Sequence, residues 1–287
     1  VAIGLSLAID HSQAQELVAD TGVHLVSRQF SFTEGASVDK IGNVFFTDQP
    51  NNRIWEYALD GRLVIFLDSA GRSNGMYFDP SGRLVTCADE QEQLWSIGPD
   101  KHVRVILKDV GGRRLNGPND LWIDAKGDIY FTDPYYQRPY WTRTKGEMDG
   151  ERVYYLAAGS REARVVAADV VKPNGIVGTP DGRYLYVADI GAGKTYKYRI
   201  GPDGSLTDRQ LFVMQGSDGM TLDALGNVYL TGDGVTVYDS TGRKAAHIAV
   251  PEPWTANLCF GGRDKRTLFI TASQGLYFIR MRVRGVE

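Results

Sequence analysis

"IDAKGDIYFTD" (123–133) carries the pattern that decides the fold. An apolar residue leads into an Asp-x-x-Gly turn; an alternating aromatic and aliphatic run follows and ends in Thr-Asp. Such turn chemistry suits a tight hairpin, and the alternation suits strands packed on a core. The unit recurs as VDKIGNVFFTD (38–48), FDPSGRLVTCAD (78–89), TPDGRYLYVAD (179–189) and LDALGNVYLTGD (222–233), with a degenerate sixth copy, GGRDKRTLFITAS (261–273). The repeat glycines Gly42, Gly82, Gly127, Gly182 and Gly226, with Lys265 in the sixth copy, are 40, 45, 55, 44 and 39 residues apart.

A third strand is predicted after each unit: RIWEY (53–57), QLWSI (93–97), RVYYL (152–156), TYKYRI (195–200), VTVYD (235–239) and LYFIR (276–280). LVIFL (63–67), VRVIL (103–107) and ARVVAADV (163–170) supply fourth strands. Four strands every 40–45 or so residues is the period of a propeller blade. Six units predict an all-β fold, a six-bladed β-propeller with four-stranded blades. The sixth unit lacks a fourth strand of its own, and VHLVSRQ (23–29) is placed to complete it and remove an open edge. Residues 23–287 are thus assigned to one propeller domain and 1–22 to an N-terminal extension, with a short capped helix over 10–20.

The 287 residues, 43% hydrophobic, suffice for a large core, and a net charge of −3 gives no basic field for nucleic acid. No apolar run approaches the roughly 20 residues that span a bilayer. Cys87 and Cys259 lie in strand-like runs without metal-ligand spacing and read as buried thiols. VAIGLSLAI (1–9) is either the remnant of a secretory signal or a packed extension, so a soluble protein is expected in the cytoplasm or the periplasm. Neither nucleic acid nor membrane is expected as a partner, and monomer and dimer both stay open.

One position in every blade is polar. Eight residues before each repeat glycine, or before Lys265, stand Glu34, Asn74, Asn119, Asn174, Asp218 and Asn257. Blade symmetry predicts that they meet at one end of the central channel. Asn and Asp also favour turns, and four of the six are followed by Gly, but turn chemistry does not account for Glu34 or for six oxygen-bearing side chains. Two carboxylates among carboxamides suit a hard divalent cation, calcium first, with magnesium, manganese and zinc as the other candidates. Zinc more often recruits Cys or His, and His11, His24, His102 and His247 all lie outside the ring. GRSNG (71–75) matches a nucleophile-elbow pattern but opens a blade, and GAGKT (191–195) reads as a hairpin rather than a phosphate loop.

FTEGA (32–36), LNGPNDLWIDAKGDIYFTDP (115–134), KPNGI (172–176) and GSDGM (216–220), in that order and blade register, resemble the gluconolactonase/SMP-30/regucalcin-like family, and the long second segment is similar to the bacterial gluconolactonases. The resemblance implies a metal-dependent lactonase of carbohydrate metabolism, a carboxylic ester hydrolase opening glucono-1,5-lactone to gluconate. It implies metal ligation by Glu34, Asn174 and Asp218, with Asn119 joining the metal shell or contacting substrate. It also implies Asp218 as the catalytic acid/base. Asn74, Asn119, Asp133, Tyr135 and Arg72 are candidate substrate contacts, and Tyr136, Tyr140 and Trp141 could share a sugar-facing wall with Tyr135. Arg114 is a further candidate. Asp133 and Asp48 also fit a structural role, since nearly every repeat ends in aspartate. Asp120 fits either the inner shell or the blade. The sequence departs from the family at CADEQEQ (87–93), where many relatives carry a histidine after the cysteine, and at the aromatic insertion YYQRPYW (135–141). Another aldonolactone, an organophosphate or aryl ester as substrate, and a non-catalytic scaffold with a structural calcium remain the competing readings.

Overall fold

A computed structural model describes residues 17–287, and in it six four-stranded antiparallel sheets stand in a ring. The first blade is built from Thr33–Val38, Val44–Asp48, Arg53–Tyr57 and Leu63–Asp68, each strand pairing with the next. Four more blades repeat this order. The last consists of Thr255–Gly261, Thr267–Ala272 and Gly275–Arg280, and His24–Ser27 pairs with Gly275–Arg280 as its outermost strand. The six-bladed propeller and its closure by the N-terminal run are as the repeat predicts. The helix expected over 10–20 falls almost wholly outside the described residues. Leu17 is buried against the last two blades, and Val18 bridges to Met281.

The repeat residues explain themselves in three dimensions. In the first hairpin, Asp39 Oδ1 accepts the backbone N–H groups of Ile41, Gly42 and Asn43 at 3.0, 2.7 and 2.9 Å. All five repeat glycines have positive φ, which only glycine adopts without strain; Lys265 takes the same conformation in the sixth copy. The closing Thr-Asp pair divides its work. Thr132 Oγ1 donates to the Asn174 carbonyl of the next blade at 2.8 Å, and Thr231 Oγ1 to that of Ala256 at 2.9 Å. The aspartates hold the loops that approach the innermost strands: Asp48 accepts the N–H groups of Ser31 and Phe32, and Asp189 those of Val171 and Lys172.

Blade faces are buried on both sides, so the core lies between sheets rather than within one. Phe45 of blade one meets Phe78 of blade two edge-on at 5.1 Å, and Tyr229 of blade five meets Phe260 of blade six at 5.4 Å. Cys87 and Cys259 are free and buried within this packing. GAGKT forms the turn into the strand Lys194–Ile200, and GRSNG enters Ser73–Phe78 with the Ser73 hydroxyl spent on the Ala70 carbonyl at 2.5 Å. Among the described residues no helix is long and apolar enough to cross a membrane.

Candidate active site

Each innermost strand begins at the end of the channel opposite its hairpin turn, and there the six polar residues meet. The glycines that follow four of them are packing devices, because the backbones converge too closely for a side chain. A Cβ on Gly75 would stand 2.6 Å from the Asn119 carbonyl oxygen and 2.3 Å from Asp120 Oδ1; one on Gly175 would stand 2.5 Å from the carbonyl oxygen of Asp218. Gly75→Ala is expected to cost about 1–3 kcal/mol through overpacking. Differential scanning calorimetry would read this as a Tm lower by roughly 2–5 °C; an unchanged Tm would show that the ring is looser than its contacts imply.

The ring separates into three groups by hydrogen bonding. Glu34 and Asn174 are buried and Asp218 is partly so. Burial, then the charges of Asp218 and Asp120, hold the Glu34 carboxyl well above the usual carboxylate range. Burial pushes Asp218 up to about 6, against hydrogen bonds from Trp254 and Asn174 and the charge of Arg138. The Asn174 amide donates to the Tyr136 hydroxyl at 3.1 Å, while its Oδ1 is buried with no partner among the described residues. Asn74 and Asn119 form the second group: both are buried, and neither carboxamide bonds to a described residue. Asn257 stands apart, its Oδ1 accepting the Leu258 N–H at 2.7 Å.

Asp120 turns inward. Its buried carboxylate accepts the backbone N–H of Leu121 at 2.9 Å, and burial, with the charge of Asp218, raises it well above the usual range. It is a third acidic group in the channel, behind the ring. Asp133 lies elsewhere. Its Oδ1 and Oδ2 accept the N–H groups of Gly117 and Asn116, both at 2.9 Å, and it is wholly buried. Against the expectation of a substrate contact, the structure gives Asp133 the same loop-holding work as Asp48 and Asp189.

The insertion reaches the ring one residue further on than expected. The Tyr135 hydroxyl is bonded to Gln137 and its ring lies under Arg143, whereas Tyr136 presents its hydroxyl to Asn174. Arg72 donates to the Pro50 carbonyl at 2.6 Å and sits 4.6 Å over the Tyr140 ring, bracing the insertion rather than facing the channel. Arg114 is exposed and bound to Glu147 at 2.7 Å. Sequence reasoning missed Trp254, whose indole N–H donates to Asp218 Oδ2 at 2.6 Å. It also missed Arg138. Neither belongs to the repeat, so no register could announce them.

Among the described residues no group of three His, Cys, Asp or Glu is arranged to hold a metal, so a cation here would rest on carboxamide oxygen as well as carboxylate. The donor set fits a hard divalent ion on its own chemistry. A buried acceptor without a donor and two carboxylates that burial pushes toward protonation are what such an ion relieves.

The sequence pattern described as the SMP-30/Gluconolactonase/LRE-like region matches residues 32–274, from the approach to Glu34 to the end of the last blade's second strand. The chain belongs to this family. Within it, the gluconolactonase of Zymomonas mobilis is 28% identical over 94% of this chain and 84% of its own length. The pentonolactonase of Haloferax volcanii is 30% identical over 75% of this chain and 65% of its own. A solved gluconolactonase from Xanthomonas campestris superimposes with a TM-score of 0.86 at 28% identity, covering 93% of this chain and 91% of that one.

Proposed function

We propose that this protein is a metal-dependent lactonase that opens a sugar lactone, with glucono-1,5-lactone as the first candidate, to the open-chain hydroxy acid. The lactonases of the family support the reaction class. The observation that carries the site is the buried, unpartnered Asn174 Oδ1 beside Glu34 and Asp218, where an acceptor surplus meets two carboxylates pushed toward protonation.

Glu34, Asn174 and Asp218 would hold the ion, with Asn119 within the same ring as a fourth candidate. Calcium suits the mixed carboxylate and carboxamide set best. A bound divalent cation supplies stabilisation of the negative charge that develops on the lactone carbonyl oxygen. Asp218 takes a proton from water as the water oxygen bonds to the carbonyl carbon. When the ring C–O bond breaks, Asp218 returns that proton to the departing alkoxide, so water is consumed and the carboxyl is restored. A carboxyl near 6 is ionised at neutral pH yet basic enough for both transfers. Trp254 fixes the orientation of Asp218 through Oδ2. Asn74 and Asn119, with free carboxamides, orient the hydroxyl groups of the sugar.

A panel of aldonolactones, aryl esters and an organophosphate, followed by proton release with calcium, magnesium, manganese or zinc present, tests the reading. Turnover of a sugar lactone is expected. Hydrolysis of the esters or the organophosphate alone would move the substrate, and no turnover at all would favour a binding scaffold.

A further inference from the structure

Asp89 breaks the rule of the repeat. Its counterparts Asp48, Asp133 and Asp189 hold the approach loops of their own blades through backbone N–H groups. Asp89 instead turns to the insertion of blade three, where its Oδ2 lies 2.7 Å from Arg138 Nε and accepts the Tyr140 hydroxyl at 2.6 Å. The rest of the acidic run docks the same insertion. Glu92 binds Arg143 Nε at 2.7 Å, and the Glu90 carbonyl accepts the Trp141 indole N–H at 3.3 Å. The run that departs from the family and the insertion that departs from it are therefore one device, a clamp that fixes Arg138 beside the channel mouth.

Four cations gather at this edge, each paired with a carboxylate, and three of them are also bonded to a backbone carbonyl. Arg72 is taken by Glu90 and the Pro50 carbonyl, Arg143 by Glu92 and the Asn116 carbonyl, and Lys172 by Glu151 and the Tyr135 carbonyl. Arg138 is held from behind by a carboxylate whose side chain is only 2% exposed, and its own side chain is 21% exposed. Its two Nη nitrogens form no hydrogen bond among the described residues. The guanidinium lies 5.6 Å from the centre of the Tyr136 ring, whose hydroxyl bonds to Asn174, and its charge acts on both Glu34 and Asp218. Its Nε is buried against Asp89 as an ion pair without a formed hydrogen bond, and a planar guanidinium held there by charge with both Nη nitrogens unpartnered is suited to bind an oxyanion in two-point fashion.

We propose that Arg138 is a specificity-determining residue that binds an anionic group on the substrate, remote from the ester, so that the preferred lactones carry a carboxylate or phosphate at the far end of the sugar. The inference rests on the lactonase reading and adds the substrate class. The ester lies at the Glu34, Asn174 and Asp218 end of the mouth, and the second anion meets the guanidinium across Tyr136.

Three probes of similar size test it: glucono-1,5-lactone, a lactone of glucaric acid, and 6-phosphoglucono-1,5-lactone. The wild-type protein should favour at least one anionic lactone in kcat/KM, and added salt should shrink that advantage. Arg138→Gln strands a buried carboxylate, so the double variant Asp89→Asn/Arg138→Gln, which neutralises the pair together, is the main test, and Arg138→Lys keeps the charge without the fork. The ratio of anionic to neutral kcat/KM should fall roughly tenfold to a hundredfold in the double variant, chiefly through KM, and less in Arg138→Lys. Whichever anionic probe loses most identifies the anion. A ratio that does not change in either variant overturns the role of Arg138 while lactone turnover stands; no cleavage of any lactone overturns the lactonase reading and this inference together.

Discussion

Asp218→Asn is expected to leave a folded protein whose kcat on a lactone is lower by roughly 10²–10⁴, the usual worth of a positioned general acid/base. Asparagine keeps the shape and can still accept the Trp254 indole N–H, so the loss isolates proton transfer and ligand charge from packing. Stability should move in the opposite sense when no cation is bound. Asp218 has a folded value of about 6, above the ordinary carboxylate value near 3.8, so its burial penalty is absent below pH 4, grows as pH rises towards 6 and is fully present at 7. The metal-free variant should melt above the metal-free wild type at pH 7–8, with the difference vanishing near pH 4. Added cation should then favour the wild type. Full activity in the variant would remove Asp218 from the chemistry, and a metal-free Tm that falls would show that its charge is compensated by the protein alone.

Removal of divalent ions is expected to cost at least about a hundredfold in lactone turnover, since a Lewis acid at a developing oxyanion is worth several kcal/mol. Calcium added back should restore it. Ligand held at about 100 times its Kd adds roughly 2.7 kcal/mol to stability, a Tm gain of about 4–6 °C for a chain of this size. Glu34→Gln should abolish most of that gain, because it removes one of the two charges the ion balances. Binding should weaken as pH falls through about 6, where Asp218 takes up a proton and ceases to be a ligand. Turnover and Tm that both ignore chelator would exclude the metal from this site's function.

What could be read from the sequence was what the repeat carries. The Asp-x-x-Gly hairpins are local chemistry, and their register places Glu34, Asn74, Asn119, Asn174, Asp218 and Asn257 at one level of the channel without any knowledge of long-range contacts. At Asp133 the register pointed to a structural role while proximity to the site suggested a substrate contact, and the structure places both its oxygens on the N–H groups of Asn116 and Gly117. The insertion and the blade-six approach were opaque because they are not periodic. Nothing in YYQRPYW distinguishes Tyr135 from Tyr136, and nothing in PEPW (251–254) aims an indole at Asp218; those choices are made by packing against other blades. Asp120 was undecidable for a related reason. Strand alternation turns it from Asn119's face, yet the convergence that forces Gly75 to be glycine also turns its carboxylate towards the channel.

The strand His24–Ser27, borrowed from the start of the chain to finish the last blade, makes the channel a property of the completed circle. Glu34 belongs to the blade nearest one terminus, while Asp218 and its Trp254 partner come from the far side of the chain. Bringing them together demands a long loop closure, and that entropy is spent before any reward from the site is available. A partly wound chain of four or five blades can bury much of its apolar surface and still have no place for an ion. Ligand binding therefore acts as a latch on the seam, drawing its stabilisation only from molecules whose two ends have already met.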